Sequence, residues 1–170
     1  IDFMHQAADF KYYENGDTKA VKLPYKNGLS MVVVLGDTKN ILNDIHNNKM
    51  TSKLVDVSLP KFKAEYSIDY VNILKNMGIE KAFDNQNADF SLMLENYPER
   101  IKIDSVLQKA MIDVDEKGTE AAAATVAVLT KSALSVDEEV IEFRADKPFT
   151  YYILDDSGNV YFAGRYVKAE

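Results

Sequence analysis

The sequence predicts an α+β protein in which strands outweigh helices. Short runs of β-branched and aromatic residues recur along the chain, closed by turn-forming clusters such as Glu14-Asn15-Gly16-Asp17 and Asp155-Asp156-Ser157-Gly158-Asn159. Apolar residues at helical spacing are confined to a few short stretches. The third observation is one of scale: 170 residues, 46% of them hydrophobic and none of them cysteine, suffice for an ordinary core without disulfide staples.

Taken in order, Phe10 to Tyr13 and Lys19 to Tyr25 read as strands on either side of the first of those turns. Lys26-Asn27-Gly28 is a second turn, and the β-branched run within Leu29 to Leu35 suits a buried strand better than a helix too short to stand alone. Ile41, Leu42 and Ile45 place a short helix within Thr38 to Asn47. Lys53 to Tyr66 reads as one long strand carrying Leu54, Val57, Leu59 and Phe62, with Pro60 marking an edge or a bulge. Ser67 is placed to cap a helix that holds Val71, Leu74 and Met77, and Gly78 to end it in the left-handed conformation. Asn87 to Leu94 reads as another short helix. Ile101, Ile103, Ser105 and Leu107 alternate as in a strand, which Met111 to Asp115 continue. Phe149 to Leu154 and Val160 to Tyr166 form the arms of a closing hairpin. No internal repeat or linker is present.

Composition narrows the partners. Lys plus Arg number 20 against 27 Asp plus Glu, a net charge of −7, and no dense basic cluster offers to neutralise phosphates, so nucleic acid is not an expected partner. The longest apolar run, Met31 to Leu35, falls far short of the roughly 20 residues that span a bilayer, and no membrane role is expected. No charged-then-apolar leader is present, and the chain opens at Ile1 rather than Met, as a mature product or a fragment would. With two histidines far apart, His5 and His46, and no cysteine, neither a metal site nor a cofactor is expected. Asp113 to Gly118 imitates the start of a calcium loop but has Lys117 at the fifth position and Ala124 at the twelfth, where carboxylates are needed. Asp137-Glu138-Glu139 reads as an exposed charge run before a strand rather than an acid and base pair. Nucleophile elbow, phosphate loop and dinucleotide fingerprint are all missing, so no residue is assigned a catalytic role.

Glu116 to Ser135 admits two readings. Ala121 to Ala124 behind Thr119 favour a capped helix on propensity. Thr125, Val126 and Val128 weaken that helix where it should propagate, and no broad apolar stripe forms. If the segment is extended, Thr119, Ala121, Ala123, Thr125, Ala127 and Leu129 share one uncharged, mostly small face. Such a strand can enter a packed sheet without burying a charge on that face.

From about Met4-His5 to its end the chain resembles the C-terminal half of a serpin. The residues that carry the resemblance are Leu23-Pro24-Tyr25 followed by Leu29-Ser30-Met31; Leu59-Pro60-Lys61-Phe62; Met77-Gly78-Ile79 with Ala82-Phe83 and Ala88-Asp89-Phe90-Ser91; Glu116 to Thr125; Asp146-Lys147-Pro148-Phe149; and Phe162-Ala163-Gly164-Arg165. The resemblance implies the serpin fold, with residues 1–170 as the C-terminal part of a single domain and 116–138 as its reactive-centre loop. It implies a suicide inhibitor rather than an enzyme: a target serine or cysteine protease cuts the loop, and the freed strand inserts into the central sheet while the acyl-enzyme is still attached. Insertion converts unpaired edge groups into ladder bonds and releases a metastable state. An extracellular location and an inhibitory member, bacterial in source, complete the expectation, with a non-inhibitory binding or storage module as the alternative.

The same resemblance assigns positions. Gly118, Thr119, Glu120, Ala121, Ala122, Ala123, Ala124 and Thr125 correspond to the hinge, which strand insertion requires to be small. Family spacing puts the cut bond at Ser132-Ala133, suiting an elastase-like or subtilisin-like pocket; Lys131-Ser132 is the alternative for a trypsin-like target, and Thr130 a third. Lys61 and Glu116 correspond to an ion pair at the top of the sheet. Gln108 stands where the family places a histidine in a hydrogen-bonded cluster beneath the sheet, and its amide can both donate and accept. The stretch between Leu35 and Leu54 is shortened and that before Pro148 lengthened. The N-terminal half of the fold is absent from this sequence, so that half, or another chain completing the sheet, is an expected partner.

Overall fold

The computed structural model describes residues 2–93, 101–116 and 140–167. Its strands are β1 (Phe3–Asn15), β2 (Thr18–Pro24), β3 (Leu29–Leu35), β4 (Thr51–Pro60), β5 (Phe62–Asp69), β6 (Leu107–Val114), β7 (Ile141–Arg144), β8 (Phe149–Asp155) and β9 (Val160–Tyr166). Two short α-helices accompany them, α1 (Ile41–His46) and α2 (Val71–Asn76). Contacts divide the chain into two units, Ile1–Phe62 with Val114–Glu170, and Lys63–Asp113.

The first unit is built on a seven-stranded sheet in the order β7-β4-β1-β2-β3-β8-β9. All neighbours run antiparallel except β4 and β7. Asn15 faces Thr18 across the β1–β2 hairpin, leaving Gly16-Asp17 as the whole turn, and Gly16 takes the φ of +57° that favours glycine there. Val32, Val33 and Val34 are all buried, so β3 is covered on both faces, as its β-branched run predicts. On one face Tyr13, Ala20, Val32, Val34 and Leu154 pack with Ile41 and Met50. Below α1, the Tyr13 hydroxyl donates to Asp44 Oδ2 at 2.5 Å, and Lys49 Nζ lies 2.7 Å from Asp44 Oδ1. An aromatic cluster gathers Phe62, Phe149, Tyr151, Phe162 and Tyr166, with ring centroids 5.0–6.4 Å apart in the contacting pairs.

Several sequence expectations are corrected here. The first strand runs from Phe3, well before Phe10, because β4 pairs with it from Phe3↔Pro60 to Tyr12↔Thr51. Lys53 to Tyr66 is not one strand: β4 ends at Pro60, β5 starts at Phe62, and they belong to different sheets. Between them the Lys61 N–H donates to the Asp2 carbonyl at 2.9 Å, one step beyond the Phe3↔Pro60 pair in the same register, so Lys61 is the last residue bonded to the β1 side before β5 begins. The strand expected after the Asp137 to Glu139 charge run is Ile141–Arg144, and it pairs with β4 in parallel, a partner the sequence reading did not name.

Another lies in the second unit, at the start of α2. Ser67 is inside β5 and does not cap; Asp69 Oδ1 instead accepts the N–H of Val71 at 3.0 Å and of Val106 at 3.1 Å. Gly78 ends the helix at φ +94°, as expected, and its N–H donates to the Lys75 carbonyl. The helix expected over Asn87 to Leu94 is reduced to a single 3-10 turn at Ser91–Met93, Leu94 lying outside the described residues. Residues 101–106 are irregular, and extended structure begins at Leu107, where β6 pairs with β5.

Candidate functional site

Pro60 is the last residue of β4, paired with Phe3, and the residue after it still donates to the β1 side. That residue, Lys61, is fixed twice. Its backbone is tied to Asp2, and its ammonium group lies 2.5 Å from Glu116 Oε1. Both side chains are about half exposed. The hydrogen bond to Glu116 holds the Lys61 pKa above the ordinary lysine value, with the nearby charges of Asp2 and Asp115 acting in the same direction. Reciprocally, the bond from Lys61 draws the Glu116 carboxyl below its ordinary range. An exposed pair of this kind contributes little stability and can open readily.

On the other side of the undescribed stretch 117–139, Val140 leads into β7. Phe143 is fully buried, and Ala145 N donates to the Ser58 carbonyl at 2.9 Å, extending the attachment of β7 to β4. Arg144 Cζ lies 5.1 Å from the Phe3 ring centroid, and Arg144 Nε contacts Asp146 at 3.2 Å. Phe3 follows Asp2 directly, so Glu116, Lys61, Asp2, Phe3 and Arg144 form a chain of neighbours at one corner of the first unit.

The structure places Lys61 and Glu116 in contact. Gln108 is exposed at the second position of β6. The hinge positions Gly118 to Thr125 and the bond positions Thr130, Lys131, Ser132 and Ala133 lie outside the described residues. His5 and His46 are far apart in the fold: His5 Nδ1 is 3.0 Å from Ser58 Oγ on the β1–β4 pair, whereas His46 ends α1 beside the Gly158 turn. Among the described residues no group of three or more His, Cys, Asp or Glu side chains could hold a metal ion, and no helix is long and apolar enough to cross a membrane. Asp2, Phe3 and Arg144 carry no local signal of their place near Lys61; strand register makes them neighbours.

Comparison with known proteins gives a consistent result. The family model "Serpin (serine protease inhibitor)" matches residues 1–169. An uncharacterised serpin-like protein of Thermococcus kodakarensis is 36% identical over 97% of this chain and 41% of its own length. Serine proteinase inhibitor 2 of cowpox virus is 35% identical over 89% of this chain and 46% of its own. The crystal structure of Serpin48, described as a highly specific serpin in the insect Tenebrio molitor, superposes with a TM-score of 0.72 at 33% identity, over all of this chain and 46% of that one. The chain therefore spans less than half the length of the relatives it matches.

Proposed function

The chain belongs to the serpin family, and from that premise we propose that it is the C-terminal part of an inhibitory serpin domain that traps a serine protease through the loop at 116–138. The observation that carries this reading is the hinge composition. From Gly118 to Thr125 one residue alone, Glu120, bears a charge, and in an extended strand it faces away from Thr119, Ala121, Ala123 and Thr125. Two features support it. The segment starts at Glu116, held by an exposed and easily opened contact to Lys61. Among the described residues β6 pairs only with β5, which leaves its second edge to receive a strand.

On this reading the protease cuts after Ser132, the freed segment inserts beside β6, and the acyl-enzyme travels with it. Cleavage after Lys131 is the trypsin-like variant of the same mechanism. Gln108 on β6 replaces the family histidine as a neutral donor and acceptor beneath the sheet. The protein meets its target outside the cell, and the remainder of the domain supplies the strand on the other side of the insertion gap.

The test uses the full-length protein with elastase-type, subtilisin-type and trypsin-type proteases. A complex that survives boiling in detergent is expected, and the mass of the released peptide identifies the bond. Slow cleavage with no covalent complex defeats the inhibitor reading in favour of a binding or storage module.

A further inference from the structure

Asn15 and Asn27 are the two asparagines of the chain that a glycine follows, and they stand in unlike turns. Glycine has no Cβ to shield its nitrogen, so the backbone N of Gly16 or Gly28 can approach the side-chain amide before it closely. The chemistry open to such a pair is imide formation. The glycine nitrogen loses its proton to hydroxide and bonds to the asparagine Cγ; the Cγ–Nδ2 bond breaks, and Nδ2 takes a proton from water and leaves as ammonia. Water then opens the ring, at Cγ to give aspartate or at the main-chain carbonyl carbon to give isoaspartate.

The surroundings of Asn27 favour each step. Lys26-Asn27-Gly28 joins β2 to β3 as a three-residue hairpin loop, with the Tyr25 N–H donating to the Leu29 carbonyl at 2.8 Å and Gly28 at φ +80°. Asn27 and Gly28 are both exposed, and an atom added at the Gly28 Cβ position would meet nothing within 4 Å, so water has free access. Asn27 Oδ1 accepts the Leu29 N–H at 3.3 Å. This bond closes a ring that contains the Gly28 nitrogen and so keeps Cγ on the side of its attacker. It also aims a donor at the oxygen that becomes negative when the tetrahedral adduct forms. Among the described residues the Gly28 N–H has no hydrogen-bond partner, so no bond has to break to release the nucleophile.

Asn15 has the same neighbour and the opposite arrangement. It is the last residue of β1, facing Thr18 in the ladder, and its Nδ2 donates to the Tyr13 hydroxyl in a long contact of 3.4 Å. Tyr13 lies two residues back on the same face, so the amide is drawn along the strand and away from Gly16. The anchor is itself fixed, since Tyr13 is buried and its hydroxyl donates to Asp44. No N–H among the described residues is aimed at Asn15 Oδ1 to stabilise an adduct there.

We propose that Asn27 is a site of spontaneous covalent modification, at which the folded protein converts its Asn27-Gly28 linkage through a cyclic imide into isoaspartate and aspartate while Asn15-Gly16 is protected. Either product adds one negative charge to the loop. Isoaspartate also inserts a carbon into the backbone between Tyr25 and Leu29 and leaves its α-carboxylate exposed, as a methyl acceptor for an isoaspartyl-directed methyltransferase. The inference makes no use of the inhibitor reading and stands or falls apart from it.

The experiment ages the full-length protein at mildly alkaline pH and follows both asparagines by peptide mass mapping, with enzymatic methyl transfer onto isoaspartate as the second readout. In the folded protein Asn27 is expected to convert about three- to tenfold faster than Asn15, a small part of what a buried oxyanion donor supplies because this one is exposed. In the same protein unfolded by guanidinium the two rates should converge, because neither turn then exists. Gly28→Ala alters the loop alone and should slow conversion at Asn27 by about tenfold or more, leaving Asn15 as it was. Tyr13→Phe, read at a temperature where circular dichroism shows the variant folded, should bring Asn15 up toward the Asn27 rate. Equal rates in the folded wild type, or faster conversion at Asn15, overturn the assignment. Conversion of Asn27 that is slower in the folded than in the unfolded protein shows that the Leu29 bond restrains the amide instead of activating it, and overturns it as well.

Discussion

Gly164 offers a direct test of how the aromatic layer is packed. It faces Tyr151 across the β8–β9 pair, and the Tyr151 phenol lies against its backbone. A methyl group added at Gly164 would stand 2.9 Å from Tyr151 Cε2 and would overlap Cζ and the hydroxyl more closely still. Tyr151 is 3% exposed and has nowhere to retreat, with the Phe62 ring centroid at 5.3 Å, Phe162 at 6.2 Å and Phe149 at 6.4 Å. Gly164→Ala should therefore destabilise the fold by about 1–3 kcal/mol, the usual range for overpacking. With a urea dependence of about 2 kcal/mol per molar, the denaturation midpoint falls by about 0.5–1.5 M. Tyr151→Leu removes the clashing ring. In that background alanine should be neutral or better than glycine, because a strand glycine is itself unfavourable by about 0.5–1 kcal/mol. The double-mutant cycle separates the clash from any general intolerance at this position. An unchanged midpoint for Gly164→Ala, or an equal loss in both backgrounds, would refute the packing account.

Three further perturbations address the loop and the helix beneath the sheet. Thr119→Arg forces a guanidinium into the inserting face, where desolvation costs several kcal/mol, so the yield of covalent complex on a gel should fall as cleaved inhibitor accumulates; an unchanged yield refutes insertion at that position. Glu116→Gln tests the ion pair by pH: the Glu116 carboxyl is lowered by Lys61 from its ordinary 4.5 and the Lys61 amine is raised from 10.5, so the pair contributes fully between those values. Its contribution is lost as pH falls through the depressed Glu116 value or rises through the elevated Lys61 value, and a difference between wild type and variant in loop-release rate that persists at both extremes would contradict it. Asp44→Asn should lower the denaturation midpoint at neutral pH. The Asp44 carboxyl is depressed first by Lys49 and then by Tyr13, so wild type should lose this advantage as pH falls through the depressed Asp44 value. Parallel profiles down to strong acid would count against that network.

What was legible in the sequence is what is settled locally. The Asp155 to Asn159 turn closes on itself, Asp155 accepting both the N–H and the side-chain amide of Asn159 at 2.9 Å, and no distant residue is needed to specify it. Gly78 ends α2 for an equally local reason. The errors occur where a distant strand decides. Pro60 marks an irregularity, but alternation runs on through Lys61 and nothing local announces that β5 belongs to a different sheet from β4. Ser67 is a competent cap by type, but Asp69 also holds Val106, so the second tie moves the helix start past it. A strand after Glu139 was expected, but no local turn signal announces that Ile141–Arg144 pairs in parallel with β4. The Lys61–Glu116 contact was reached through family resemblance alone. His5, Ser58 and Arg144 come together through two registers at once, information that no single stretch of the chain contains.

The two flanks of the loop are held unequally, and the inequality bears on direction. On the Glu116 side the described attachment is an exposed ion pair, screened by water and salt. On the other side β7 is registered with β4 at four positions, Phe143 has no exposed surface, and the Ala145 N–H is bound to Ser58. Removing a buried phenylalanine from its core costs about 3–5 kcal/mol, so this flank stays in place when the chain between them is cut. In the proposed mechanism the cut segment moves from its Glu116 side, adjoining β6, while the segment behind the cut keeps its attachment to β4 through β7.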